Sequence, residues 1–316
     1  MAMKPAPLHR PRKWKRVLFG TFSLIVFVVA AGVLYDAFRT LNWGAVAASI
    51  LQWRGRFFLA ATLCSLSFGV VGLIEWRALR WAGSRVSVGQ AFKVSFIANG
   101  LAHSLGAAAF VAAAVRARLY ARHGVGLTTS AAVTAFQTAT STSGVVALVG
   151  IACIIDYRGH APWSFIGVLM LGGLGLYLVA CGLVRGSVQL WAYKFNLPTV
   201  KGAVVQIGLG AVDNALAIGS LFVLLPPKSV TYSTFVGDYV IAYVGGALSG
   251  IPGGAGPFEG LLVKLLPSLD LAGLGAAMLG FRLVFNLAPL CGAAAMLLID
   301  FVRNRRSGAL ASVATL

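Results

Sequence analysis

Six stretches of mostly apolar residues run through the chain, at 17–38, 57–76, 127–152, 163–184, 203–225 and 271–300. Each is close to the ~20 residues a helix needs to cross a bilayer. Of the 316 residues, 59% are hydrophobic and 11% are charged, whereas an ordinary soluble domain carries about 25% charged residues. Lipid is therefore the main solvent of this chain. A soluble enzyme, a disordered tail and a coiled coil are excluded before any motif is considered. The first span follows Lys4, Arg10, Arg12, Lys13, Lys15 and Arg16. It is longer than a signal-peptide core and no small-x-small cleavage site follows it, so it is expected to remain in place.

Two further apolar segments do not read as ordinary spans. Residues 91–115 have basic residues on both flanks: Arg77, Arg80, Arg85 and Lys93 before, Arg116, Arg118 and Arg122 after. With both ends on one side, the segment enters and returns, turning near Asn99–Gly106. In 235–267 an apolar helix meets Ile251-Pro-Gly-Gly-Ala-Gly-Pro-Phe-Glu-Gly260. Pro252 and Pro257 remove backbone donors, and Gly253, Gly254 and Gly256 weaken any helix. A broken helix at membrane depth is tolerated where protein buries it or water lines it, so this segment predicts a cavity.

The expected fold is thus all-α and polytopic, with about six full spans and two re-entrant hairpins, eight helical segments in all. Both termini then face the cytoplasm. This layout places 19 basic residues on the cytoplasmic side and six on the other, with Arg282 inside the membrane, as the positive-inside rule requires. The formal charge of +18 is read as loops held against anionic lipid, and nucleic acid is excluded as a partner. Span, span, hairpin, span occurs twice, in half-repeats 17–152 and 163–300, once from each side. That is the inverted-topology repeat of many secondary transporters, here one of topology without visible sequence identity. Residues 1–16 and 301–316 are expected as cytoplasmic tails.

Ionisable groups inside a bilayer need partners or a function. The candidates are Arg116, Asp213, Asp238, Glu259 and Arg282, with Asn99 and His103 in the first hairpin. A structural pair between Asp213 and Arg282 is one plain reading, and Asp238 is expected at the interface facing water. Glu75 and Asp300 lie near span ends, in the headgroup zone. Glu259 opens a short helix at 258–266, where its carboxylate caps the N-terminus or the same N–H groups hold an anionic headgroup. His103 in the first hairpin reads as a hydrogen-bonded core histidine, with contact to a headgroup as the alternative. The hydroxyl-rich run Thr138–Gly144 suits close helix packing, and the seven tryptophans sit near span ends as interfacial anchors. Cys64, Cys153, Cys181 and Cys291 read as small core residues. No GxSxG, HExxH or GxxxxGK[ST] pattern occurs, and the four histidines lack metal-ligand spacing. The chain is expected not to be an enzyme and to need neither metal nor cofactor. Any driving force for transport then comes from gradients or the membrane potential.

Several of these residues also carry a family resemblance. Asn99-Gly-Leu-Ala-His-Ser-Leu-Gly106, leading into Ala114-Val-Arg-Ala-Arg-Leu-Tyr120 and His123-Gly-Val-Gly126, resembles the first signature of the lysylphosphatidylglycerol synthase transmembrane family. Gln206-Ile-Gly-Leu-Gly-Ala-Val-Asp213 with Leu224-Leu-Pro226 resembles the second. Ile251–Glu259 and Phe281-Arg-Leu-Val-Phe285 with Pro289 follow in the family's order. The chain departs from the family in Ala107–Ala114 with Phe110, where small Gly-rich residues are usual, and in Pro257, where an aliphatic residue is common. Sixteen residues follow Asp300, so the resemblance implies the lipid-translocating half without the aminoacyl-transferase domain.

What the resemblance implies is a lipid flippase or lipid transporter of the bacterial inner membrane, acting on an anionic phospholipid or a lipid-linked substrate, with homodimerisation left open. Arg116 and Arg282 would attract the headgroup phosphate, and Glu259 would balance them when the site is empty. Two alternatives stand beside it: a secondary transporter of a small solute, and a non-catalytic subunit of a lipid-biosynthetic pathway, for example one linked to hopanoids. The layout makes a direct prediction. Single cysteines at Ser84 and Val125, in a background lacking the four native cysteines, should both react with an impermeant thiol reagent from the cytoplasmic side. Labelling from opposite sides would remove the first hairpin and the repeat with it.

Overall fold

The computed structural model describes residues 53–105, 108–155, 161–184, 187–190, 193–226, 230–249, 252–269 and 271–313. The expected span 17–38 and Gly106 lie outside the described residues. Ten helices follow in order among them: α1 (Arg54–Trp81), α2 (Val88–Leu105), α3 (Ala108–Ala121), α4 (Leu127–Ile155), α5 (Ala161–Leu183), α6 (Val200–Phe222), α7 (Tyr232–Leu248), α8 (Pro257–Leu265), α9 (Leu271–Phe281) and α10 (Ala288–Val313). A 3₁₀ turn at Pro252–Gly254 separates α7 from α8, and a π-helical segment, Arg282–Leu287, joins α9 to α10. Between α5 and α6 stands a short antiparallel hairpin, Ser187–Leu190 with Tyr193–Asn196, Val188 facing Phe195 in its register. The all-α expectation is departed from only there among the described residues.

Among the described residues, five segments are long and apolar enough to cross a bilayer: Arg54–Trp81, Leu127–Ile155, Pro162–Leu183, Val200–Phe222 and Gly273–Arg303. They coincide with five of the six expected spans. The first atypical segment is a helix pair, α2 packed on α3, with its break inside or just after Asn99–Gly106. The second is also a packed pair, α7 and α8. The first arm of each pair rests on the last helix of the other half, α2 on α10 and α7 on α4. Lys93 in the second turn of α2 and Asp300 midway along α10 close that contact with a 2.6 Å ion pair. Helix α10 continues through the expected tail boundary to Val313.

Buried side chains form two cores. One gathers Ile218, Leu221 and Leu224 after and within α6, Phe235 and Tyr239 of α7, Phe258 and Leu262 of α8, and Leu274 and Phe281 of α9. The other gathers Ile97 and Leu101 of α2, Val115 and Leu119 of α3, Val133 of α4, and Leu290 and Ala293 of α10. Helix α1 belongs to both, giving Ala60 and Cys64 to the first and Ala78 and Leu79 to the second. Outward faces carry Phe165, Leu169, Leu176 and Leu183 of α5 and Phe58 and Leu66 of α1, all exposed. An apolar exterior around apolar cores is what lipid allows and water does not. Cys64, Cys153 and Cys181 are buried as expected, whereas Cys291 is exposed.

The closest helix crossing is that of α4 and α6. A Cβ on Gly144 would overlap the backbone of Gly210, and one on Gly210 would overlap the carbonyl of Thr140. Small residues allow this approach, which replaces the hydrophobic drive that lipid does not supply. Asn214 reinforces the crossing by donating to the Ser141 carbonyl at 3.2 Å. The hydroxyl run of α4 therefore serves packing. Gly210→Val should separate the helices and cost about 1–3 kcal/mol as overpacking, read as a lower melting temperature in detergent. Gly208→Ala on the same helix, where a Cβ meets nothing within 4 Å, should melt as wild type.

Candidate functional site

Three interruptions of helical backbone meet at one place. They are the end of α2, the 3₁₀ turn after α7, and the π segment between α9 and α10. The π segment follows from Pro289, which lacks an N–H and whose ring crowds the carbonyl four residues back. The backbone there bonds with a wider step, the Ala288 N–H reaching the Leu283 carbonyl. Such π-bulges recur at functional sites. The 3₁₀ turn depends on glycine, since Gly253, Gly254 and Gly256 have φ of 61°, 63° and 92°, a region that residues with a Cβ rarely adopt.

The interruptions satisfy one another. Asn286 Nδ2 donates to the His103 carbonyl at 3.1 Å, and Ser104 Oγ donates to the Asn286 carbonyl at 3.3 Å. Gly100 lets α2 lie against the Pro289 carbonyl, which a Cβ there would meet at 2.9 Å. Gly253 faces the His103 and Ser104 carbonyls, 3.6 and 3.8 Å from where a Cβ would stand. The His103 ring lies edge-on to Phe285 and Phe68, with centroids at 5.1 and 6.1 Å. It is a packed histidine.

At this junction stands the ion pair of Glu259 and Arg282. Arg282 Nε donates to Glu259 Oε1 at 2.5 Å, and Arg282 Nη2 lies 3.5 Å from the Gly253 carbonyl. Glu259 Oε2 accepts from the Gly256 N–H at 2.8 Å. Glu259 is at the third position of α8, so it closes one half of a capping box, and Gly256 has no side chain to supply the other. Their side chains are 23% and 27% exposed, respectively, so the pair is open to its surroundings. An apolar helical body thus holds one cation and one anion, each with donors or acceptors from broken backbone.

Arg116 is elsewhere. Its guanidinium is bonded to Glu75, with Nε–Oε1 and Nε–Oε2 at 2.9 Å and Nη2–Oε2 at 2.8 Å, and also to Gln137. The side chains of Arg116 and Glu75 are 1% and 0% exposed, and Tyr120 donates to Glu75 Oε1 at 2.8 Å. Asn99 joins the same network, accepting from Gln137 Nε2 at 3.1 Å. Three sequence expectations are corrected here. Glu75 is not open to headgroups, because α3 brings Arg116 onto it and seals its side chain at 0% exposure. Asp213 is not paired with Arg282; it accepts from Ser67 Oγ at 2.6 Å. Asp238, expected to face water, is 1% exposed. Sequence reasoning missed Glu75, Tyr120 and Gln137 as partners of Arg116, although a glutamate inside the apolar run 57–76 was the available signal.

Removing one member of a buried pair leaves the other charge uncompensated, at roughly 3–5 kcal/mol. Glu75→Gln and Arg116→Gln should each reduce folded yield or melting temperature sharply, and the double variant should recover much of the loss. Equal melting of both single variants and wild type would show that the network carries little stability.

No protein-family model matches the chain. It is similar to the uncharacterized protein slr0712 of Synechocystis sp., with 26% identity over 308 residues covering 93% of this chain and 95% of that protein. It is also similar to the inner membrane protein YbhN of Escherichia coli K12, with 26% identity over 294 residues covering 89% of this chain and 90% of that one. Both likenesses run through nearly the whole of each chain and so take in the two broken helix pairs together with the spans that hold them.

Proposed function

We propose that this protein carries the phosphate-bearing headgroup of a lipid across the inner membrane, with both broken pairs re-entrant and both termini cytoplasmic. One observation carries the reading. The interrupted backbones of both pairs and of the last span converge on a partly exposed Arg282–Glu259 pair. The resemblance to the lysylphosphatidylglycerol synthase transmembrane family supports it, as does the similarity to an inner membrane protein. The crossed packing of α2 on α10 and α7 on α4 supports an inverted repeat, in which each half's broken pair leans on the other half's last helix.

Glu259 occupies the guanidinium edge of Arg282. An arriving phosphate takes that edge with two parallel N–H···O bonds, since guanidinium matches phosphate geometry and holds its charge at any working pH. Glu259 stays on the α8 N-terminus through Gly256, or meets a cationic group of the headgroup. The acyl chains remain in the bilayer while the headgroup passes, which lowers the desolvation cost of crossing. Arg116 takes no phosphate in this scheme, because Glu75 and Gln137 already hold its Nε and Nη2 and its side chain is only 1% exposed.

The test is flipping of fluorescent anionic lipid in proteoliposomes, read by dithionite quenching at matched incorporation. Arg282→Gln should abolish flipping. Glu259→Gln keeps an acceptor for Gly256, costs about 1 kcal/mol of helix capping at most, and should also abolish flipping because its amide no longer competes with phosphate as a charge. Equal rates in both variants and wild type would remove the assigned site. Absence of flipping by wild type, where a known flippase works, would favour a scaffold in lipid biosynthesis.

A further inference from the structure

The Ser67–Asp213 contact joins α1 to α6, and these are the corresponding second and second-last full spans of the proposed repeat. Asp213 is 9% exposed and Ser67 is 2% exposed. Among the described residues, Ser67 Oγ is the hydrogen-bond donor to the Asp213 carboxylate, and no arginine or lysine pairs with it. Glu75 has Arg116 as its counter-charge and Glu259 has Arg282, whereas Asp213 is met by a neutral hydroxyl.

We propose that Asp213 is a proton-binding site whose loading and unloading accompany each transport cycle; the transport half of this statement rests on the lipid-carrier reading above. An ionised carboxylate with a single hydroxyl donor is expensive among apolar helices, and charges there mark ion and proton paths. Proton uptake forms one O–H bond on a carboxylate oxygen, and release breaks that same bond, so no other reactant is needed. A sodium ion fits less well. It would need several oxygen ligands, which transporters take from unwound backbone, whereas α6 runs unbroken from Val200 to Phe222 and the Gly210 carbonyl is taken by Asn214.

The surroundings suit a proton as well. From α7, Tyr239 and Tyr243 interact electrostatically with Asp213, and Asp238 lies on the same helix as a second buried acid. From α1 come Ser67 and, two turns further, Glu75, which Arg116 neutralises. Helix α4 carries no Asp, Glu, Lys, Arg or His, and neither does α9; α5 presents Tyr177, which donates to Gln206. The only other charged residue of α6 is Lys201, in its first turn. The link to the transport site is short. Phe68, next to Ser67, packs on Phe285 and His103 at 6.0 and 6.1 Å, and Cys64, one turn earlier, donates to the Val284 carbonyl at 3.4 Å. A change at Ser67–Asp213 therefore acts on the helix that touches the π segment holding Arg282.

Two readouts on the full-length protein in proteoliposomes test this. Infrared difference spectra between acid and alkaline buffer should show a protonated-carboxyl stretch in wild type that Asp213→Asn removes and Glu259→Gln keeps. Lipid flipping should speed up under one polarity of an imposed pH gradient and slow under the other, and Asp213→Asn should lose that dependence. Ser67→Ala retains the carboxyl and should shift the band, which keeps the test open where Asp213→Asn folds poorly. A band that survives Asp213→Asn, or that Ser67→Ala leaves unshifted, overturns the proton site. Flipping indifferent to the gradient, or dependent on sodium at fixed pH, overturns the coupling. A wild type that flips no lipid but shows the Asp213 band refutes the carrier reading alone and leaves the proton site standing.

Discussion

Backbone that leaves the α-helix inside a bilayer has nowhere to send its N–H and C=O groups except to other protein groups. That constraint organises this molecule. The end of α2, the glycine turn after α7 and the π segment after Arg282 each expose carbonyls, and each is met by the others: Asn286 on His103, Ser104 on Asn286, Arg282 beside Gly253. None of the three would be acceptable alone. Their meeting point is therefore also where donors and acceptors are assembled together, as the proposed headgroup path requires.

Charge follows the same logic with two different outcomes. Glu75 and Arg116 are sealed, joined by Tyr120 and Gln137, and tie α1, α3 and α4 together. Buried pairs of this kind owe their retention to specificity as much as stability, since their desolvation offsets most of their attraction. Glu259 and Arg282 are built from the same residue types but stay partly exposed and sit on irregular backbone. Exposure distinguishes the sealed pair from the open one, and the proposed carrier role rests on the open one.

Helix α1 links these regions. Its two ends belong to different cores, and its middle carries Cys64, Ser67 and Phe68 against the π segment, Asp213 and His103. In the proposed inverted repeat, movement of one half against the other would have to pass through this helix. The tight Gly144–Gly210 crossing of α4 and α6 supplies a fixed counterpart, where backbones touch too closely to slide.

Much of this was legible in the residues. Runs of apolar residues placed five described spans because hydrocarbon length and helical rise leave little freedom. Basic flanks and the Pro-Gly-Gly-Ala-Gly-Pro run marked the two broken pairs because glycine and proline act on the local backbone. Glu259 at the head of a short helix followed from the same break. Pairing was not legible. Arg116 found Glu75 rather than a headgroup, and Asp213 found Ser67, 146 residues away in sequence, rather than Arg282. The sequence by itself determined where the chain meets lipid and where its helices break, since both depend on residues within a turn or two of one another. Only the tertiary structure decided which charges are sealed and which are open, because burial and counter-charge depend on which helices pack together.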